Sequence, residues 1–560
     1  MATDRLARLM AWQRRNVPVL LLGVALVLAA AALAKAQWDV TFFQDTWAFL
    51  LDRQDFSADA FLKPHNEHIV VIPVAITKVL LEVFGMTSNT PEQVAMGLSL
   101  LAAAVLLFVY VRRRTNPWLA LMAASLMLFL GAAWPILLWP FENEFTLPIV
   151  FGLAMLLFLD REDGRGDAWA CAMLVLAVLS GSLGISFVLA AAVDVFVKRR
   201  TRGWRRAYVF LVPGLVYLAW YAGWGNEAET HLTLENVLNS PVYVMEGFAS
   251  ALSSLAGLSK TPASGPASID FGAPLLVALL VAAGFRIRQR GVPAGFWPVA
   301  AAAVSYWLLA AFNFIPGREA TATRYVYAGA IFVLLIAAEL LRGVRWNRNA
   351  LLVAGGVVLV AIVPNIGYMK TGGEWEREQS VFTRADLTAL EISRRTVDPG
   401  YALSDPEVAG TASLGVVSAG KYFEAADRWG SAAYSLEELE AAPPVGRHYA
   451  DVVLSRVLPL STAVRPGEFG SGGEGCVTQP AGSAPDSEVE LRPGLHRIEV
   501  APGADAVFKL RRFATGEYPV VTEPSPGGST TLLRVPRDEA PNPWYLHVEA
   551  SQLARLCPAQ

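Results

Sequence analysis

The sequence predicts a polytopic α-helical membrane protein with about eleven transmembrane helices and a C-terminal extracytoplasmic domain, part α/β and part β-sandwich. Three observations indicate this class. Hydrophobic residues make up 54% of the 560 residues and charged residues only 17%, unlike an average soluble protein. The apolar residues crowd into residues 1–368, the predicted transmembrane domain. Residues 369–560 instead have the composition of a soluble protein.

Composition also restricts the partners. The formal net charge is only −3, so the chain lacks the basic excess that is typical of nucleic-acid binding. The six histidines and three cysteines include no CxxC pair, which argues against a dedicated zinc site. We expect membrane lipids around the chain and no nucleic-acid partner.

Apolar runs define the candidate membrane spans. A hydrocarbon core of ~30 Å requires about 20 helical residues, and fewer where a helix is enclosed in a bundle. The candidate spans are residues 17–35, 92–111, 117–134, 145–159, 168–181, 183–197, 206–222, 272–285, 295–314, 324–341 and 349–367.

Basic residues between the spans predict the orientation, because Lys and Arg concentrate on the cytoplasmic side. With eleven spans and a cytoplasmic N-terminus, every basic cluster falls inside and the C-terminal domain falls outside the plasma membrane. This pattern requires the first span to be retained, although AKA (34–36) is an acceptable signal-peptide cleavage site. The clusters are Arg5/Arg8/Arg14/Arg15, Arg112–Arg114, Lys198–Arg206, Arg286/Arg288/Arg290 and Arg342/Arg345/Arg348.

The requirement that every basic cluster lie inside also decides whether two ambiguous segments cross the membrane. A crossing at residues 69–84 would place Arg112–Arg114 outside, so we predict that 69–84 is a helix lying along the outer surface. Residues 168–197 could form one helix, but the basic residues that follow would then lie outside. Two short helices broken at SGSLG (180–184) fit the charges, although each half would span only ~21 Å.

The C-terminal region divides into two predicted parts. Residues 369–460 mix helical stretches with strand-like runs, and residues 461–560 alternate in short β-like runs separated by turn residues. The second pattern predicts a small antiparallel sandwich, a shape common among carbohydrate-binding modules, although a fold alone does not establish function. Cys476 and Cys557 lie in this extracytoplasmic region, so we predict a disulfide between them.

Three segments at the predicted outer level carry an unusual set of polar side chains. Taken singly, each has a plain explanation, because loop carboxylates are usually solvated, histidines can cap helices, and Tyr and Arg anchor helix ends. Their common depth is what favours a site. They hold Asp39, Asp45, His65, Asn66, Glu67 and His68 in the first outer loop (36–68), Glu142 and Glu144 among Trp139, Phe141 and Phe145 in residues 139–148, and Arg318, Arg324 and Tyr325 in residues 314–327.

Together these residue types suit one chemistry. Carboxylates and imidazoles can accept a proton from a hydroxyl or hold a divalent cation such as Mg²⁺ or Mn²⁺, for which Asp45 and His68 are the candidate ligands. Arginines can hold a phosphate in fork geometry. Aromatic rings such as Trp47 and Trp139 can stack on a sugar. Such a set at a lipid boundary indicates transfer of a group from a lipid phosphate carrier.

The arrangement resembles the GT-C glycosyltransferases, membrane enzymes that use polyprenyl-phosphate-linked sugars. The likeness covers about residues 15–345 and extends to uncharacterised actinobacterial proteins whose loop reads Pro-His-Asn-Glu-His. In that family an acidic loop motif is followed by a surface helix, the second span, a glycine-rich break and a late arginine-bearing segment. The matching segments here are QDTW (44–47), KPHNEH (63–68), LLEVFG (80–85), PEQVAMGLSLL (91–101), SGSLGIS (180–186) and GREATATRY (317–325).

The resemblance implies an inverting enzyme that moves a sugar from a polyprenyl-phosphate donor to a cell-envelope glycan or lipid. It implies Asp45 as the catalytic acidic residue, with Arg318, Arg324 and Tyr325 at the carrier phosphate. The residues implied to assist catalysis are Asp39, His65, Glu67 and His68, and those implied to bind acceptor or sugar are Asn66, Trp47, Trp139, Glu142 and Glu144.

One departure leaves metal dependence open. Many family members carry paired acidic residues in the first loop, whereas this chain has Gln44–Asp45, so a second carboxylate could come from Asp39, Glu67 or Glu142. Two other classes stay open, a lipid-glycan flippase and a non-catalytic envelope scaffold. The flippase is disfavoured because charged residues within spans are few, and Asp194 and Glu339 lie near predicted cytoplasmic ends, where snorkelling suffices.

The orientation is tested by labelling single cysteines in a Cys171→Ser background. A membrane-impermeant maleimide applied to intact cells is expected to label Lys63→Cys, next to the PHNEH stretch. It is expected to label Arg200→Cys only after the membrane is permeabilised. The reverse pattern would place the PHNEH stretch in the cytosol and contradict the predicted topology.

Overall fold

The computed structural model describes residues 2–259, 270–403, 414, 417–458, 462–466, 476–479, 488–503, 505–522, 524–538, 540–550 and 554–558. The chain forms two compact units. Unit 1 contains Met1–Trp38, Asp55–Leu80 and Thr90–Glu376, and unit 2 contains Asp39–Gln54, Leu81–Asn89 and Arg377–Gln560. The first outer loop, predicted as one segment, is therefore divided between the units.

Helices dominate unit 1, and unit 2 also contains helices before its strands. In chain order the first ten are α1 (Ala2–Ala36), α2 (Thr46–Leu51), α3 (Ala58–Leu62), α4 (Val71–Phe84), α5 (Thr90–Arg114), α6 (Pro117–Leu128), α7 (Trp134–Leu138), α8 (Asn143–Leu159), α9 (Gly164–Ser180) and α10 (Leu183–Val197). The others are α11 (Arg199–Arg202), α12 (Tyr208–Trp224), α13 (Leu234–Leu255), α14 (Gly272–Arg290), α15 (Phe296–Phe312), α16 (Thr323–Leu340), α17 (Arg348–Ile392), α18 (Ala419–Trp429), α19 (Leu436–Ala441) and α20 (Pro444–Val457).

Every predicted span corresponds to a helix in the structure. Among the described residues, seven helices are long and apolar enough to cross a membrane, and an eighth is obtained if α6 and the bent segment up to Leu138 count as one span. The other three predicted spans are α9, α10 and α15, which have only 17, 15 and 17 residues. The predicted break between α9 and α10 is present at Gly181 and Ser182.

Two helical features differ from the sequence prediction. Helix α17 runs for 45 residues without interruption, so the helix continues far past the predicted domain boundary at residue 368. Helix α13, with 22 residues, was not predicted as a span or as a helix. Two glutamates, two asparagines and four serines interrupt its apolar residues, which is why no long apolar run marks it.

Helix α13 supports the loop that carries Arg318. The Tyr243 hydroxyl donates to the Arg318 carbonyl at 2.7 Å, and the Asn236 amide donates to the Phe314 carbonyl at 3.0 Å. At the other end of α13, Asn365 on α17 donates to the Ser254 carbonyl at 3.0 Å. These bonds connect α13 to the segment after α15 and to α17. They also satisfy backbone carbonyls, each of which requires a donor inside a bundle.

Buried ion pairs connect the helices at the C-terminal end of α16. Glu339 is fully buried and pairs with Arg114 of α5, which also binds Asp160 at 2.9 Å. Asp194 is buried and pairs with Arg206 at 3.0 Å. The expectation that Asp194 and Glu339 snorkel to water was therefore wrong, since each charge is neutralised inside the protein by a guanidinium.

Unit 2 ends in the predicted antiparallel sandwich. One sheet has the strand order β1-β7-β4-β9-β2 and the other has the order β3-β8-β5-β6. Side chains of both sheets, such as Ile498 and Phe508, share one core. The structure contains the Cys476–Cys557 disulfide that the sequence predicts. The strands are β1 (Thr462–Pro466), β2 (Val477–Gln479), β3 (Val489–Leu491), β4 (Gly494–Val500), β5 (Ala506–Arg511), β6 (Val520–Val521), β7 (Ser529–Val535), β8 (Trp544–Ala550) and β9 (Ala554–Pro558).

A buried carboxylate connects α20 to the sandwich. Asp451 is fully buried and accepts hydrogen bonds from the backbone N–H groups of Arg512, Phe513 and Ala514 at 2.7 to 2.9 Å. Burial raises the pKa of the Asp451 carboxyl to about 6, although the three amides and the Arg512 charge favour its ionised form. The side chain therefore satisfies three backbone donors that follow β5.

Removing this acceptor should destabilise unit 2. Each buried donor left unsatisfied is worth about 1–3 kcal/mol, so Asp451→Ala is expected to lower the thermal midpoint of the detergent-solubilised full chain by more than about 5 °C. Tryptophan fluorescence during heating measures the midpoint. Asp505→Ala is the control, because Asp505 is exposed. Equal midpoints for the two variants would contradict this role of Asp451.

Candidate functional site

Five segments of unit 1 meet at the N-terminal end of α16. Ser182, in the break between α9 and α10, donates to the Glu67 carbonyl at 3.2 Å, and the Glu229 amide donates to the Asn66 carbonyl at 3.0 Å. The His231 amide donates to Asn313 at 3.2 Å. The PHNEH loop, the helix break, the loop after α12 and the segment after α15 are thus bonded together, and aromatic contacts add the segment before α8.

The PHNEH loop is a tight turn. The His65 and His68 backbones exchange two hydrogen bonds, at 3.0 and 2.8 Å. Asn66 adopts a φ of 50°, a left-handed conformation that asparagine tolerates better than most residues. The turn places the His65 ring against the segment before α8 and the His68 ring against the first turn of α8. Their ring centroids lie 5.0 Å from Phe141 for His65 and 6.2 Å from Phe145 for His68.

An ion pair joins the turn to the late arginine segment. Nη1 of Arg318 lies 2.8 Å from both carboxylate oxygens of Glu67, and each side chain is only 14% exposed. Nε2 of His68 lies 3.6 Å from the same carboxylate. The structure therefore brings together three of the predicted site residues, which come from positions 251 residues apart along the chain.

The environment sets the charges of this cluster. Burial alone would raise the pKa of Glu67, but its electrostatic interactions with His68 and Arg318 outweigh burial, so the pKa lies below its usual range. Burial lowers the pKa of His68, Glu67 opposes this effect in part, and Arg318 and Arg324 lower the pKa further. At neutral pH the cluster therefore holds an ionised carboxylate, a guanidinium and a neutral imidazole.

Arg324 differs from Arg318 in its pairing. In the part of the chain that the structure describes, its guanidinium donates to the Gly317 carbonyl at 3.1 Å and has no carboxylate within ion-pairing distance. It also lies 5.9 Å from the ring of Tyr325, which is buried at the start of α16. A guanidinium whose donors are not used by a carboxylate is a suitable ligand for a phosphate.

The segment before α8 and the first turn of α8 are buried rather than solvated. Trp139, Glu142 and Glu144 are 9%, 3% and 7% exposed, and Trp139 stacks on Phe141 with 5.2 Å between ring centroids. A Cβ atom at Gly181 would lie 2.2 Å from the Glu144 carbonyl oxygen, so glycine in the SGSLG break permits this close packing. None of these three predicted residues lines the cavity described below.

The remaining predicted residues belong to unit 2. Asp45 is half-buried and directly precedes α2. Asp39 forms an ion pair with Arg384 at 2.8 Å. Trp47 is completely buried in the unit 2 core, where it packs edge-on against Phe42, so its ring has no face open to a sugar. We therefore withdraw Trp47 from the predicted sugar-binding residues.

A cavity of 150 Å³ lies beside Glu67 and His68. Most of the polar and aromatic residues that line it were not predicted from the sequence, because Ser, Asn and Tyr near span ends are common in membrane proteins. Only the SGSLG break gave a signal, as a break rather than as a site. The unpredicted lining residues include Ser182, Ser186, Tyr217, Thr230, Tyr306 and Asn313.

A larger cavity of 640 Å³ lies at the other end of α16, ~27 Å away along the helix. Its cationic side chains are already paired with carboxylates. Lys198 lies 2.9 Å from Asp194, and Arg342 lies 2.9 Å from Glu339. We therefore place the candidate site at the smaller cavity, which is lined by Tyr325, because the preceding residue Arg324 is not paired in this way.

Among the described residues, no group of three or more His, Cys, Asp or Glu side chains is placed to hold a metal ion. The two predicted ligands, Asp45 and His68, belong to different units.

Comparison with known proteins shows only distant similarity. No protein-family model and no curated protein matches the chain. ArnT from Cupriavidus metallidurans, solved bound to undecaprenyl phosphate, is 14% identical with a TM-score of 0.45 and matches 69% of this chain and 82% of that one. The Archaeoglobus fulgidus oligosaccharyltransferase AglB, solved with an inhibitory peptide and a dolichol-phosphate, is 14% identical with a TM-score of 0.40, over 66% and 58%.

Similarity at this level does not assign an activity to the chain. Its own helices and sheets define a polytopic helical membrane protein with a C-terminal sheet domain.

The low pKa of His68 gives a pH-dependent stability. Below about pH 6.5, the usual pKa of a histidine, the unfolded chain binds a proton at this position before the folded chain does, so stability is lost as the pH falls. Between pH 7 and pH 5 the thermal midpoint of the wild type is expected to fall more than that of His68→Gln. Ser180→Ala, which changes no titratable group, is the control, expected to follow the wild type. Parallel curves for wild type and His68→Gln would contradict this assignment.

Proposed function

We propose that the protein is a plasma-membrane glycosyltransferase of the GT-C type, from an actinobacterium-like cell envelope. It would transfer a sugar from a polyprenyl-phosphate donor to an extracytoplasmic glycan or lipid acceptor, with inversion at the anomeric carbon. The observation that supports this most is the ion pair of Glu67 with Arg318. It holds a carboxylate and a neutral imidazole beside two guanidinium groups at one end of the bundle.

The reaction is a direct displacement. The acceptor hydroxyl oxygen attacks the anomeric carbon, the bond from that carbon to the phosphate oxygen breaks, and the phosphate keeps the electron pair. The hydroxyl proton passes to a base. No enzyme nucleophile is required for inversion, but the leaving phosphate must be stabilised.

Arg324 is the proposed ligand of the leaving phosphate. Its guanidinium has donors that are not used by a carboxylate, and negative charge develops on the phosphate as the bond breaks. Arg318 is already neutralised by Glu67, so we assign it to positioning the PHNEH turn. Tyr325, at the start of α16, lies beside Arg324.

Two groups are candidates for the base. The family resemblance favours Asp45, and we propose it as one of the two candidates. Unit 1 itself supplies His68, which is neutral at pH 7 and lines the cavity, as a general base requires. Glu67 is less suited, because its pairing with Arg318 lowers its pKa and therefore its affinity for a proton.

A divalent cation stays part of the proposal as an option. Mg²⁺ or Mn²⁺ would bind carboxylate oxygens and the carrier phosphate, and Asp45 is the protein ligand that we propose for it. The polyprenyl phosphates named for the two solved structures belong to the same chemical class as the proposed donor, but the proposal depends on the residues of this chain.

The test is transfer of a labelled sugar from polyprenyl phosphate to endogenous acceptors in membranes that contain the full chain. Loss of a phosphate ligand or of a base typically slows an enzyme by about 10²–10⁴-fold. We expect Arg324→Ala to lower transfer at least 100-fold and Arg324→Lys to lower it less. We expect a similar loss for Asp45→Asn if Asp45 is the base, or for His68→Gln if His68 is the base.

Arg288→Ala, on an exposed arginine at the end of α14, is the control and should retain full transfer. Full activity of Arg324→Ala would rule out the proposed phosphate site. Movement of the lipid-linked sugar across the membrane without a new glycosidic bond, seen by mass spectrometry, would identify a flippase instead. Absence of either reaction would favour the scaffold.

A further inference from the structure

The loop that carries Asp45 is built into the core of unit 2. Phe42, just before Asp45, and Trp47, just after it, are 1% and 0% exposed and belong to that core. Their rings pack edge to face with centroids 5.7 Å apart, and Trp47 packs in the same way on Tyr422 of α18 at 6.3 Å. The backbone at Asp45 is therefore anchored on both sides, whereas its side chain is half-buried.

The backbone is strained directly before Asp45. Gln44 adopts a φ of 42°, a left-handed conformation that is unfavourable for glutamine because its Cβ crowds the neighbouring carbonyl. The Trp47 N–H closes the turn by donating to the Gln44 carbonyl at 2.9 Å. A conformation of this kind persists only where the surrounding structure imposes it. The direction in which Asp45 points therefore depends on the contacts that hold the turn.

Two residues near the end of α17 hold the start of this loop. Ser380 is buried, and its hydroxyl oxygen accepts a hydrogen bond from the Thr41 N–H at 3.0 Å. Nη1 of Arg384 lies 2.8 Å from Oδ1 of Asp39, whose φ of 62° is also left-handed. Because Ser380 and Arg384 are four residues apart, they lie on one face of the helix. That face is in contact with the loop at two points.

The exposure of the ion pair indicates that it orients the loop rather than stabilises unit 2. The Asp39 side chain is 59% exposed and that of Arg384 22%, and ion pairs this open to water contribute little to stability. The Tyr434 ring, 5.4 Å from the guanidinium, helps to fix Arg384. Loss of the ion pair is therefore expected to loosen the loop without unfolding unit 2.

We propose that Ser380 and Arg384 are positioning residues for the transfer reaction and act through Asp45. They hold the strained turn, so that the Asp45 carboxylate accepts the proton of the acceptor hydroxyl from one fixed orientation. A displacement of about 1 Å in a reacting group can slow a reaction about 100-fold. This inference rests on the proposed function, with Asp45 as the base, and it gives residues of the C-terminal region a part in the chemical step.

The first measurement is hydrogen–deuterium exchange of the full chain in nanodiscs, followed by mass spectrometry. Ser380→Ala and Arg384→Ala are each expected to raise the exchange rate of the amides in residues 41–48 at least 10-fold, because the loop opens more often. Arg384→Lys keeps a cation for Asp39 and is expected to stay within about 3-fold of the wild type.

Two matched controls lie at the same end of α17. Ser393 is also buried, but its hydroxyl donates to the Ala389 carbonyl at 2.8 Å. Arg394 pairs with Asp427 of α18 at 2.6 Å. Ser393→Ala and Arg394→Ala therefore remove a similar group whose partner lies outside the loop, and both should leave exchange in residues 41–48 unchanged.

The second measurement is transfer kinetics in membranes that contain the full chain. The donors are undecaprenyl phosphates that carry one radiolabelled glucose, mannose, galactose or arabinose, and the acceptors are endogenous. Ser380→Ala and Arg384→Ala are each expected to lower kcat about 10-fold. The donor KM is expected to change less than 2-fold, because the proposed phosphate ligand is intact. Arg384→Lys should recover most of the lost kcat.

A double variant separates positioning from a general structural role. In an Asp45→Asn background, Arg384→Ala is expected to cause no further loss of kcat, because the carboxylate that it positions is already gone. Residues that act as one unit are non-additive in this way. A further 10-fold loss in the double variant would show that Arg384 acts independently of Asp45 and would overturn the inference.

The remaining outcomes separate this inference from the proposed function. Unchanged exchange in residues 41–48, an unchanged kcat, or equal losses in the control variants would overturn the positioning role while transfer by the wild type still supported the proposed function. Full transfer by Asp45→Asn would also overturn it and would leave His68 as the base. Absence of transfer by the wild type from every donor would overturn both.

Discussion

The ion pair between Glu67 and Arg318 is the constraint on which the candidate site depends. It closes a separation of 251 residues along the chain with two contacts of 2.8 Å, and both side chains are mostly withdrawn from water. Removing one partner of such a pair leaves an uncompensated buried charge, which is strongly unfavourable. The position of the PHNEH turn, and with it of His68 and the cavity wall, is therefore determined by an arginine from the far end of unit 1.

The two ends of α16 show how pairing distinguishes structural from functional charge. At its C-terminal end, Glu339 pairs with Arg114 and Arg342. These charges neutralise one another and hold helices together, so little net charge is left to attract a ligand. At its N-terminal end, Arg318 is neutralised but Arg324 keeps donors that no carboxylate of the described residues uses. The same residue type thus has a different role at each end because of its neighbours.

Local patterns predicted much of the fold. Apolar runs located every predicted span, glycine and serine located the break at Gly181, and alternation with turn residues located the sandwich. The prediction was weaker where polar residues interrupt a helix, as in α13, and for the buried aromatic ring of Trp47. Exposure of an aromatic side chain depends on the elements that pack over it, which residue type does not reveal.

By itself, the sequence determined which segments are apolar enough to span a membrane, which two cysteines pair, and which polar residues deserve attention. Those features depend on composition and on neighbours a few residues apart. Only the tertiary structure decided that Glu67 meets Arg318 and that Trp47 is buried in the core of unit 2. Such contacts join residues from distant helices, and their geometry follows from helix packing and register, which hydropathy and charge patterns do not encode.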